Sequence, residues 1–590
     1  MEENPAADDA FIRFADTAEA VRGTTKRLEK AALLAAYFDP LPDRELAISA
    51  RYFAGYTFPM RDQRTTNIGG SALTSAILAV TGVDETWLRE RLVARGDVGD
   101  AAFDAFESLD GRREPSLTLL DVSTFMETLA ATGGAKKKLE MVVGLLGRAS
   151  PLEAKYLAKL ISGDLRIGLQ EGAVEDAIAR WVGKPVGEIQ WANMLLGDVG
   201  ETAILARAGR LDTARMRLFH PLKFMLATAA AAAADLADVE RQMGAEFAVE
   251  DKYDGIRAQA HVAPDLPESG SVHGVVHDGV RVALFSRTLD EVTESFPDLV
   301  APLAALGANM PREESAGLIL DGEILPMRGD RILPFLELQK RLGRKTLTAD
   351  ILESVPVAFV AYDLLYGDGA VRLNEPFDSR RAMLERAAAG ADGNRVRITP
   401  SKRFTDIAGL DAEFDAARAR GNEGLMVKDP RSTYKPGRRG REWLKIKRAM
   451  ATLDVVVTAV EVGNGRRNNF LSDYTFAVRA SEQDPTLLNV GKAYSGLTDA
   501  ELATMSEWFR AHTIQEFAHG KVRTVEPKVV LEVTFDLVQP SSRHKSGFAL
   551  RFPRILRIRN DKPPEEIDTL ETVRRLAEES QRGPADPAES

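Results

Sequence analysis

The chain has 590 residues, of which 44% are hydrophobic and 28% charged, and its formal net charge is −11. This is the composition of a globular protein long enough for several domains. Because there is no cysteine, disulfides, thiolate zinc sites and cysteine catalysis are excluded. The acidic N-terminus lacks a secretory pattern, and the alanine run at 229–234 is too short to span a membrane. We therefore expect a soluble, intracellular protein (cytoplasm or nucleoid if prokaryotic) with no membrane partner.

Positive charge is concentrated in two segments of this acidic chain. Residues 431–450 contain eight Lys or Arg and one acid, and residues 543–562 contain seven Lys or Arg and one acid. The tail from 563 onward reverses this, with eight acids and three basic residues. Local basic fields of this kind are compatible with nucleic-acid binding even when the net charge is negative.

The N-terminal third predicts helices throughout, because apolar residues recur at spacings of three and four. This part contains a short repeat, Gly-Asp-Val-Gly, which places Gly96 and Gly99 in one copy and Gly197 and Gly200 in the other. Each copy precedes a plausible helix start, where free backbone N–H groups can hold a phosphate. Ordinary helix-connecting turns are the alternative interpretation.

From residue 247 the pattern changes to short apolar strands separated by Gly and Asp turns, with two intervening helical segments. It predicts an α+β domain that ends near Arg448. Strand patterns at 453–460, 474–478 and 528–535 then predict a small β-barrel, followed by a short helix and an acidic tail. The predicted domains are 1–218, 219–448, 449–562 and 563–590.

The segment 250–257 (Glu-Asp-Lys-Tyr-Asp-Gly-Ile-Arg) is the first candidate site. Lys252 ends a predicted strand before a Gly turn, with carboxylates and an arginine close by in sequence. A lysine in this setting can act as a nucleophile in a phosphate site. A charged strand end is the alternative, and the segment is too short to decide alone.

Six further segments follow Lys252 in a fixed order. They are 285–287 (Phe-Ser-Arg), 320–323 (Leu-Asp-Gly-Glu), 361–363 (Ala-Tyr-Asp), 423–428 (Glu-Gly-Leu-Met-Val-Lys), 443–447 (Trp-Leu-Lys-Ile-Lys) and 551–562. With these motifs the chain resembles the ATP-dependent DNA ligases of the covalent nucleotidyltransferase superfamily, from about residue 110 to 575. The resemblance implies a multidomain fold: an all-α DNA-binding domain, an α+β adenylation domain and an OB-fold β-barrel.

The chemistry of the residues agrees with this resemblance. A neutral lysine amine can attack the α-phosphorus of ATP and expel pyrophosphate. Glu323 and Glu423 each lie beside a glycine at a predicted strand end, and carboxylates of that kind suit Mg²⁺, although both can also be turn residues. Lys445 and Lys447 alternate with apolar residues, so both cations share one strand face and can hold a phosphate, the alternative being a solvated edge strand.

Further roles are implied by the resemblance alone. Glu250 accepts a hydrogen bond from the adenine amino group, and Tyr362 stacks on the base, where the family more often has Phe. The contacts implied for the ribose, the phosphates or the nick involve Arg257, Arg287, Arg439, Lys445 and Lys447. In the segment 551–562, which swings over ATP and then away, Arg554 and Lys562 orient the leaving pyrophosphate.

The resemblance also implies the substrate and the reaction. Residues 163–174 resemble the helical DNA-binding domain of large cellular ligases, so Gly96, Gly99, Gly197 and Gly200 become candidate DNA-backbone contacts. The implied activity is the sealing of nicked duplex DNA through lysyl-AMP, with ATP and Mg²⁺, by a monomer. An RNA ligase, a capping-type enzyme or a catalytically silent DNA-binding relative are the alternatives. The recruiting partner stays unknown.

Overall fold

The computed structural model describes residues 10–62, 64–109, 114–229, 236–244, 246–266, 273–342, 347–446, 451–463, 467, 470–517 and 520–581. In chain order these form a helical region, a region of two sheets with flanking helices, and a second β-rich region. Within the described ranges, none of the helices has the length and apolar character needed to cross a membrane.

The helical region packs around one apolar core. Phe14 lies at its centre, with ring centroids 4.6 Å from Phe53 and 6.2 Å from Tyr156. Capping boxes at Thr118 and Ser150 satisfy the first N–H groups of two helices. The helices are α1 Phe11–Arg22, α2 Arg27–Phe38, α3 Asp43–Phe53, α4 Gly70–Thr81, α5 Glu85–Arg95, α6 Val98–Glu107, α7 Leu119–Ala131, α8 Ala135–Leu146, α9 Pro151–Ser162, α10 Glu171–Val182, α11 Val186–Leu196 and α12 Val199–Arg207.

The middle region contains two sheets. Its strands are β1 Leu226–Ala229, β2 Phe247–Lys252, β3 Ile256–Pro264, β4 Val275–His277, β5 Val280–Ser286, β6 Leu318–Arg328, β7 Arg331–Ile332, β8 Val357–Gly367, β9 Ala370–Val371, β10 Val396–Ile398, β11 Ser401–Phe404, β12 Gly424–Lys428 and β13 Arg439–Ile446. Its helices are α13 Leu236–Met243, α14 Val300–Gly307, α15 Phe335–Gln339, α16 Ala349–Ser354, α17 Phe377–Ala387 and α18 Leu410–Ala419. The strands of the second sheet (β3–β10) are inserted in the chain between β2 and β11 of the first.

The first sheet has the strand order β1-β13-β12-β2-β11. Alternate residues of its strands, such as Val249, Leu425 and Leu444, pack with α13 and α18 in one apolar cluster. The residues between them, such as Glu250 and Lys252, therefore point to the opposite face of the sheet, because strand side chains alternate.

The second sheet runs β10-β8-β6-β3-β5-β4. Its outer face forms a core with α14 and α17 that includes Ala258, Leu320 and Phe359. Its inner face carries Arg257 directly opposite Glu323 on the neighbouring strand. Side chains of the two inner faces meet, as where the Lys428 ammonium lies 4.8 Å from the centre of the Tyr362 ring.

The segment before β1 joins the helical and middle regions. Its residues His220 and Met225 are buried, so this linking segment packs against the rest of the protein. Lys223 forms an ion pair with Glu171 of α10, and His273 Nε2 lies 3.0 Å from the Arg61 carbonyl oxygen. These contacts join the helical region to the sheet region.

The C-terminal region is a bent seven-stranded sheet with a two-stranded addition. One edge of β14 pairs with β19 at its start and β18 at its end, while the other edge pairs with β15. Two bulges against β15 allow this bend. The elements are β14 Thr452–Val462, β15 Leu471–Arg479, β16 Leu487–Ala493, α19 Asp499–Ala511, β17 Thr513–Phe517, β18 Val522–Val525, β19 Val530–Thr534, β20 Leu537–Pro540, β21 Phe548–Arg551, β22 Arg554–Ile558 and α20 Leu570–Gln581.

The two helices of this C-terminal region, which we call the barrel region after the fold that the sequence predicts, pack on its strands. Phe509 of α19 and Val573 of α20 belong to the same core cluster as the strands. α20 follows the barrel as the short helix that the sequence predicts, and the tail from 582 lies outside the described residues. The fold class expected from the sequence is confirmed: a helical region, an adenylation-type α+β region and a β-rich C-terminal region.

Candidate active site

Lys252 lies at the end of β2, where the inner face of the first sheet ends. It is paired with Gly424 across the sheet, and the backbone N–H of Glu423 donates to the Lys252 carbonyl oxygen at 2.8 Å. The Lys252 ammonium forms an ion pair with the Glu423 carboxylate, and the two side chains are 20% and 22% exposed to solvent. A ligand from solution can therefore reach both groups.

Gly255 brings the chain after Lys252 close to the second sheet. A Cβ at this position would lie 2.4 Å from the Ile324 carbonyl oxygen, so only glycine permits the approach. The Gly255 N–H donates to Glu323 Oε1 at 3.2 Å. Burial raises the pKa of Glu323 to about 7, although the Lys252 and Arg257 cations lower it. Glu323 is thus a buried carboxyl that a nearby cation would hold ionised.

Asp254 completes a group of acids around the lysine. Its pKa is raised, first by burial and then by the Glu423 charge, while Arg551 lowers it. Arg551 comes from the end of β21, and its Nη1 lies 3.1 Å from Asp254 Oδ2. The guanidinium also lies 4.6 Å from the Phe335 ring centre. The barrel region therefore contacts the site two residues from Lys252.

The carboxylates suit a hard divalent cation in chemistry and in charge. After burial, the charge of Glu423 and its hydrogen bond with Asp254 raise the pKa of Asp254, and a bound cation would relieve this repulsion. No cluster of three or more metal-binding side chains is found among the described residues. The remaining ligands in such a site would be water and phosphate oxygens, as Mg²⁺ prefers.

Glu250 is almost fully buried on the inner face, two residues before Lys252. Its Oε2 lies 2.6 Å from the Lys428 ammonium, and its Oε1 lies 3.4 Å from Arg381 Nη1. Burial raises its pKa, and both cations lower it. The Lys428 ammonium also faces the Tyr362 ring, so Glu250 and Tyr362 are brought to one place.

Arg257 is held rigidly on the inner face of the second sheet. Two of its nitrogens bind Asp321 at 2.7 and 3.1 Å, and Nη1 donates to the Met225 carbonyl oxygen at 2.7 Å. Tyr434 donates to the same Asp321 at 2.7 Å. The Asp321 charge raises the pKa of Arg257 against the effect of burial. A fixed guanidinium of this kind is suited to contact a ribose or phosphate.

The strand that carries the paired lysines is only partly within the described residues. Lys445 lies on β13 in the same row as Met426 and Glu250, so it shares their face. Arg439 is exposed at the start of β13, whereas Lys447 lies outside the described residues. Arg287 is exposed in the turn after β5.

The structure does not bring Arg554 and Lys562 to Lys252. Lys562 donates to Asp454 at 2.7 Å within the barrel region, and Arg554 is exposed on β22, opposite Thr534. The residue of the 551–562 segment that reaches the site in this conformation is Arg551. Its position at the end of a strand, ahead of Pro553, lets its side chain leave the barrel.

The two Gly-Asp-Val-Gly copies form helix-connecting turns. Gly96 and Gly197 end helices with positive φ of 63° and 62°, and Asp97 and Asp198 then accept from first-turn N–H groups of the next helices. Those N–H groups are consequently occupied.

Packing also limits what the glycines can contact. A Cβ at Gly99 would lie 2.6 Å from the Lys155 carbonyl oxygen, and one at Gly200 would lie 2.4 Å from that of Ala47. Gly197 is buried against the His220 ring. Direct DNA contact at Gly99, Gly197 and Gly200 is therefore corrected to a packing role, and only the exposed Gly96 stays a candidate contact.

Four residues of the site were not assigned from the sequence. Asp321, Lys428 and Arg381 each bind a predicted site residue, and Arg551 binds Asp254, two residues after Lys252. Strand alternation could have found two of them, because Asp321 lies two residues before Glu323 on β6 and Lys428 ends the 423–428 motif on β12. Arg381 and Arg551 depend on contacts between distant segments, which spacing does not reveal.

Comparison with known proteins gives one consistent result. Three family profiles match in chain order: "DNA ligase N terminus" at 10–179, "ATP dependent DNA ligase domain" at 224–447 and "ATP dependent DNA ligase C terminal region" at 467–562. A "Probable DNA ligase" of Koribacter versatilis is 46% identical, over 95% of this chain and 96% of its own.

Two further proteins agree with these matches. A "DNA ligase" of Methanoculleus marisnigri is 36% identical, over 95% of this chain and 97% of its own. The solved structure described as "Pmar-Lig_PreS3" shares the fold with a TM-score of 0.58 at 17% identity, over 92% of this chain and 99% of that one. With the ordered motifs gathered around Lys252, these matches show that the chain belongs to the family of ATP-dependent DNA ligases.

Proposed function

We propose that Lys252 is the nucleophile with which this DNA ligase takes AMP from ATP. The observation that carries the proposal is its position: an accessible amine, ion-paired with Glu423, at the meeting point of two sheets. The Lys252 nitrogen attacks the α-phosphorus, an N–P bond forms, and the P–O bond to pyrophosphate breaks. The amine must be neutral to attack, so one proton leaves it beforehand.

The acids around Lys252 are proposed to hold Mg²⁺. Glu323 and Glu423 supply the carboxylates, and Asp254 lies against Glu423. The ion, when bound, neutralises phosphate charge and stabilises the leaving pyrophosphate. The burial that raises the pKa of Glu323 and the mutual repulsion of Asp254 and Glu423 both support this assignment.

The nucleotide is proposed to lie between the two inner faces. Glu250 and Tyr362 contact the base, and Arg257 contacts the ribose. Lys445, with Arg439 at the start of the same strand and Lys447 two residues further along the chain, contacts the phosphates. The shared sheet row of Glu250 and Lys445 supports a nucleotide that lies across β12.

The remaining steps follow from the covalent intermediate. AMP passes from Lys252 to the 5′-phosphate at a nick in duplex DNA, and the 3′-hydroxyl then attacks that phosphate and releases AMP. Arg287 and Gly96, both exposed, are proposed to contact the DNA. We further propose that the chain acts as a monomer, as the family resemblance implies.

The test is covalent labelling with α-labelled ATP. The wild type is expected to gain one AMP by mass spectrometry and to seal a nicked duplex, whereas Lys252→Ala gains none. Sealing of a nick that already carries AMP separates loss of the first step from loss of fold. Label on Lys252→Ala would overturn the assignment. Preference for GTP or for nicked RNA would favour a capping-type enzyme or an RNA ligase instead.

A further inference from the structure

The buried ammonium of Lys428 lies between the two groups proposed to define the base pocket. It is 2.6 Å from Glu250 Oε2, with 1% and 2% of the two side chains exposed. It is also 4.8 Å from the ring centre of Tyr362. One cation thus contacts both the proposed acceptor for the base and the proposed stacking ring.

Two further aromatic rings lie close to Lys428. Its ammonium lies 4.6 Å from the Phe377 ring centre and 4.4 Å from that of Trp443. Ring faces attract cations but accept no conventional hydrogen bond from them. Glu250 is therefore the one carboxylate that the structure places on this ammonium among the described residues.

The charge of Glu250 decides which base edge it can bind. An ionised carboxylate only accepts hydrogen bonds, whereas a protonated carboxyl also donates one. The 6-amino group of adenine donates, so it suits the carboxylate. The 6-keto group of hypoxanthine accepts, so it is left unpaired against the carboxylate but can bind the protonated carboxyl.

We propose that Lys428 determines base specificity in this ligase, by holding Glu250 as a pure hydrogen-bond acceptor that takes 6-amino purines and rejects 6-keto purines. The inference rests on the proposed role of Glu250. Lys428 acts through Glu250 and is a positioning residue, not one that touches the reacting atoms.

The other groups that face Glu250 do not replace Lys428. Arg381 approaches Oε1 only to 3.4 Å, and its Nη2 is engaged by the Thr399 carbonyl oxygen at 2.6 Å. Asp363 adds a repulsive charge, and Tyr253 is a neutral neighbour. Burial raises the pKa of Glu250, and Lys428 is the first of the cations that oppose it. Removing the ammonium therefore favours the protonated carboxyl.

The test compares Lys428→Met with the wild type, using ATP and inosine triphosphate, which differ at the 6-position and the adjoining ring nitrogen. The readout is the ratio of kcat/KM for covalent labelling of the enzyme by the two nucleotides. We expect the preference for ATP to fall by about tenfold or more in Lys428→Met, because the unpaired-group penalty disappears. The loss should grow as pH is lowered, since acid protonates Glu250.

Two further variants isolate the mechanism. Lys428→Arg keeps a cation and should retain more of the preference than Lys428→Met. Glu250→Gln carries both a donor and an acceptor and should lose the preference by itself. Adding Lys428→Met to Glu250→Gln should then change the ratio little further, because the group through which the lysine acts is already neutral.

The outcomes are distinguishable. Equal losses with ATP and inosine triphosphate in Lys428→Met, with the ratio unchanged, would make the lysine a structural residue and overturn the proposal. A wild type that takes no label from either nucleotide would overturn the proposed function itself. Thermal unfolding and gel-shift binding of nicked duplex verify the fold of each variant, and the doubly neutral variant carries no unpaired buried charge.

Discussion

Replacing Arg551 by alanine removes the contact that joins the barrel region to the neighbourhood of Lys252. In this conformation Arg551 binds Asp254 at 3.1 Å and lies over the Phe335 ring. We expect the barrel to close over ATP through this contact and to leave it when DNA enters, since both need the same space. The variant should therefore be slow in adenylylation and close to normal in sealing a nick that already carries AMP.

The size of the effect follows from the burial of the pair. A hydrogen bond to a charged group contributes about 1.5–3 kcal/mol, and a partly exposed cation–π contact adds about 0.5–1 kcal/mol. The Arg551 and Asp254 side chains are 16% and 27% exposed, so solvent weakens the ion pair. The expected loss therefore lies in the lower half of the range that the two contributions add up to. A loss of about 2 kcal/mol is roughly a 30-fold fall in the closed population.

The assay is single-turnover labelling by α-labelled ATP, run beside sealing of pre-adenylylated nicked duplex. Arg557→Ala is the matched control, because Arg557 lies on the next strand and pairs with Glu532 inside the barrel region. The control should label at the wild-type rate. The reasoning is refuted if Arg551→Ala labels normally, or if labelling and sealing fall together by the same factor.

Two further predictions concern buried charge. In Glu323→Gln we expect loss of adenylylation but greater stability without metal above pH 7, by on the order of 3 kcal/mol. Because the wild-type pKa is raised from 4.5 to about 7, the penalty grows as pH rises between these two values, is complete above 7 and is absent at lower pH; thermal unfolding across pH measures it. In Arg380→Leu the fully buried Asp363 loses its bidentate partner, which should destabilise the sheet region by about 3–5 kcal/mol in calorimetry. The double variant Arg380→Leu/Asp363→Leu should recover part of this loss, and equal melting of Arg380→Leu and wild type would contradict the estimate.

Motif order predicts the inner-face residues well because strand geometry is local. Glu250 and Lys252 are two residues apart on one strand, and alternation alone puts both on the same face. Glu323 lies on a strand in the same way, opposite Arg257, whereas Glu423 precedes β12 and reaches Lys252 from the bend before that strand. The fold class could be predicted for a related reason, since the change from helical to strand periodicity near residue 247 marks a change of architecture.

Contacts between distant segments could not be predicted in this way. The contact of Arg551 with Asp254 depends on how the barrel region is placed, whereas the sequence favours Arg554 and Lys562 as the residues of this segment that orient the pyrophosphate. For the glycine repeat the sequence leaves both a phosphate site and ordinary helix-connecting turns open, because free N–H groups at helix starts are common. Side chains of Asp97 and Asp198 occupy those groups, which spacing alone does not reveal.

The charged groups around Lys252 lead us to expect a fixed order of events in the first step, the transfer of AMP from ATP to the lysine. An ammonium paired with Glu423 is a poor nucleophile, since its lone pair is engaged in an N–H bond. The Glu423 carboxylate that binds this ammonium is also one of the proposed cation ligands, and Asp254, which binds Arg551, lies against it. A cation held by these carboxylates would compete with the Lys252 ammonium for Glu423. We therefore expect the ion pair in the enzyme without nucleotide, and we expect it to weaken when nucleotide and a divalent cation bind, which would free the proposed nucleophile for attack.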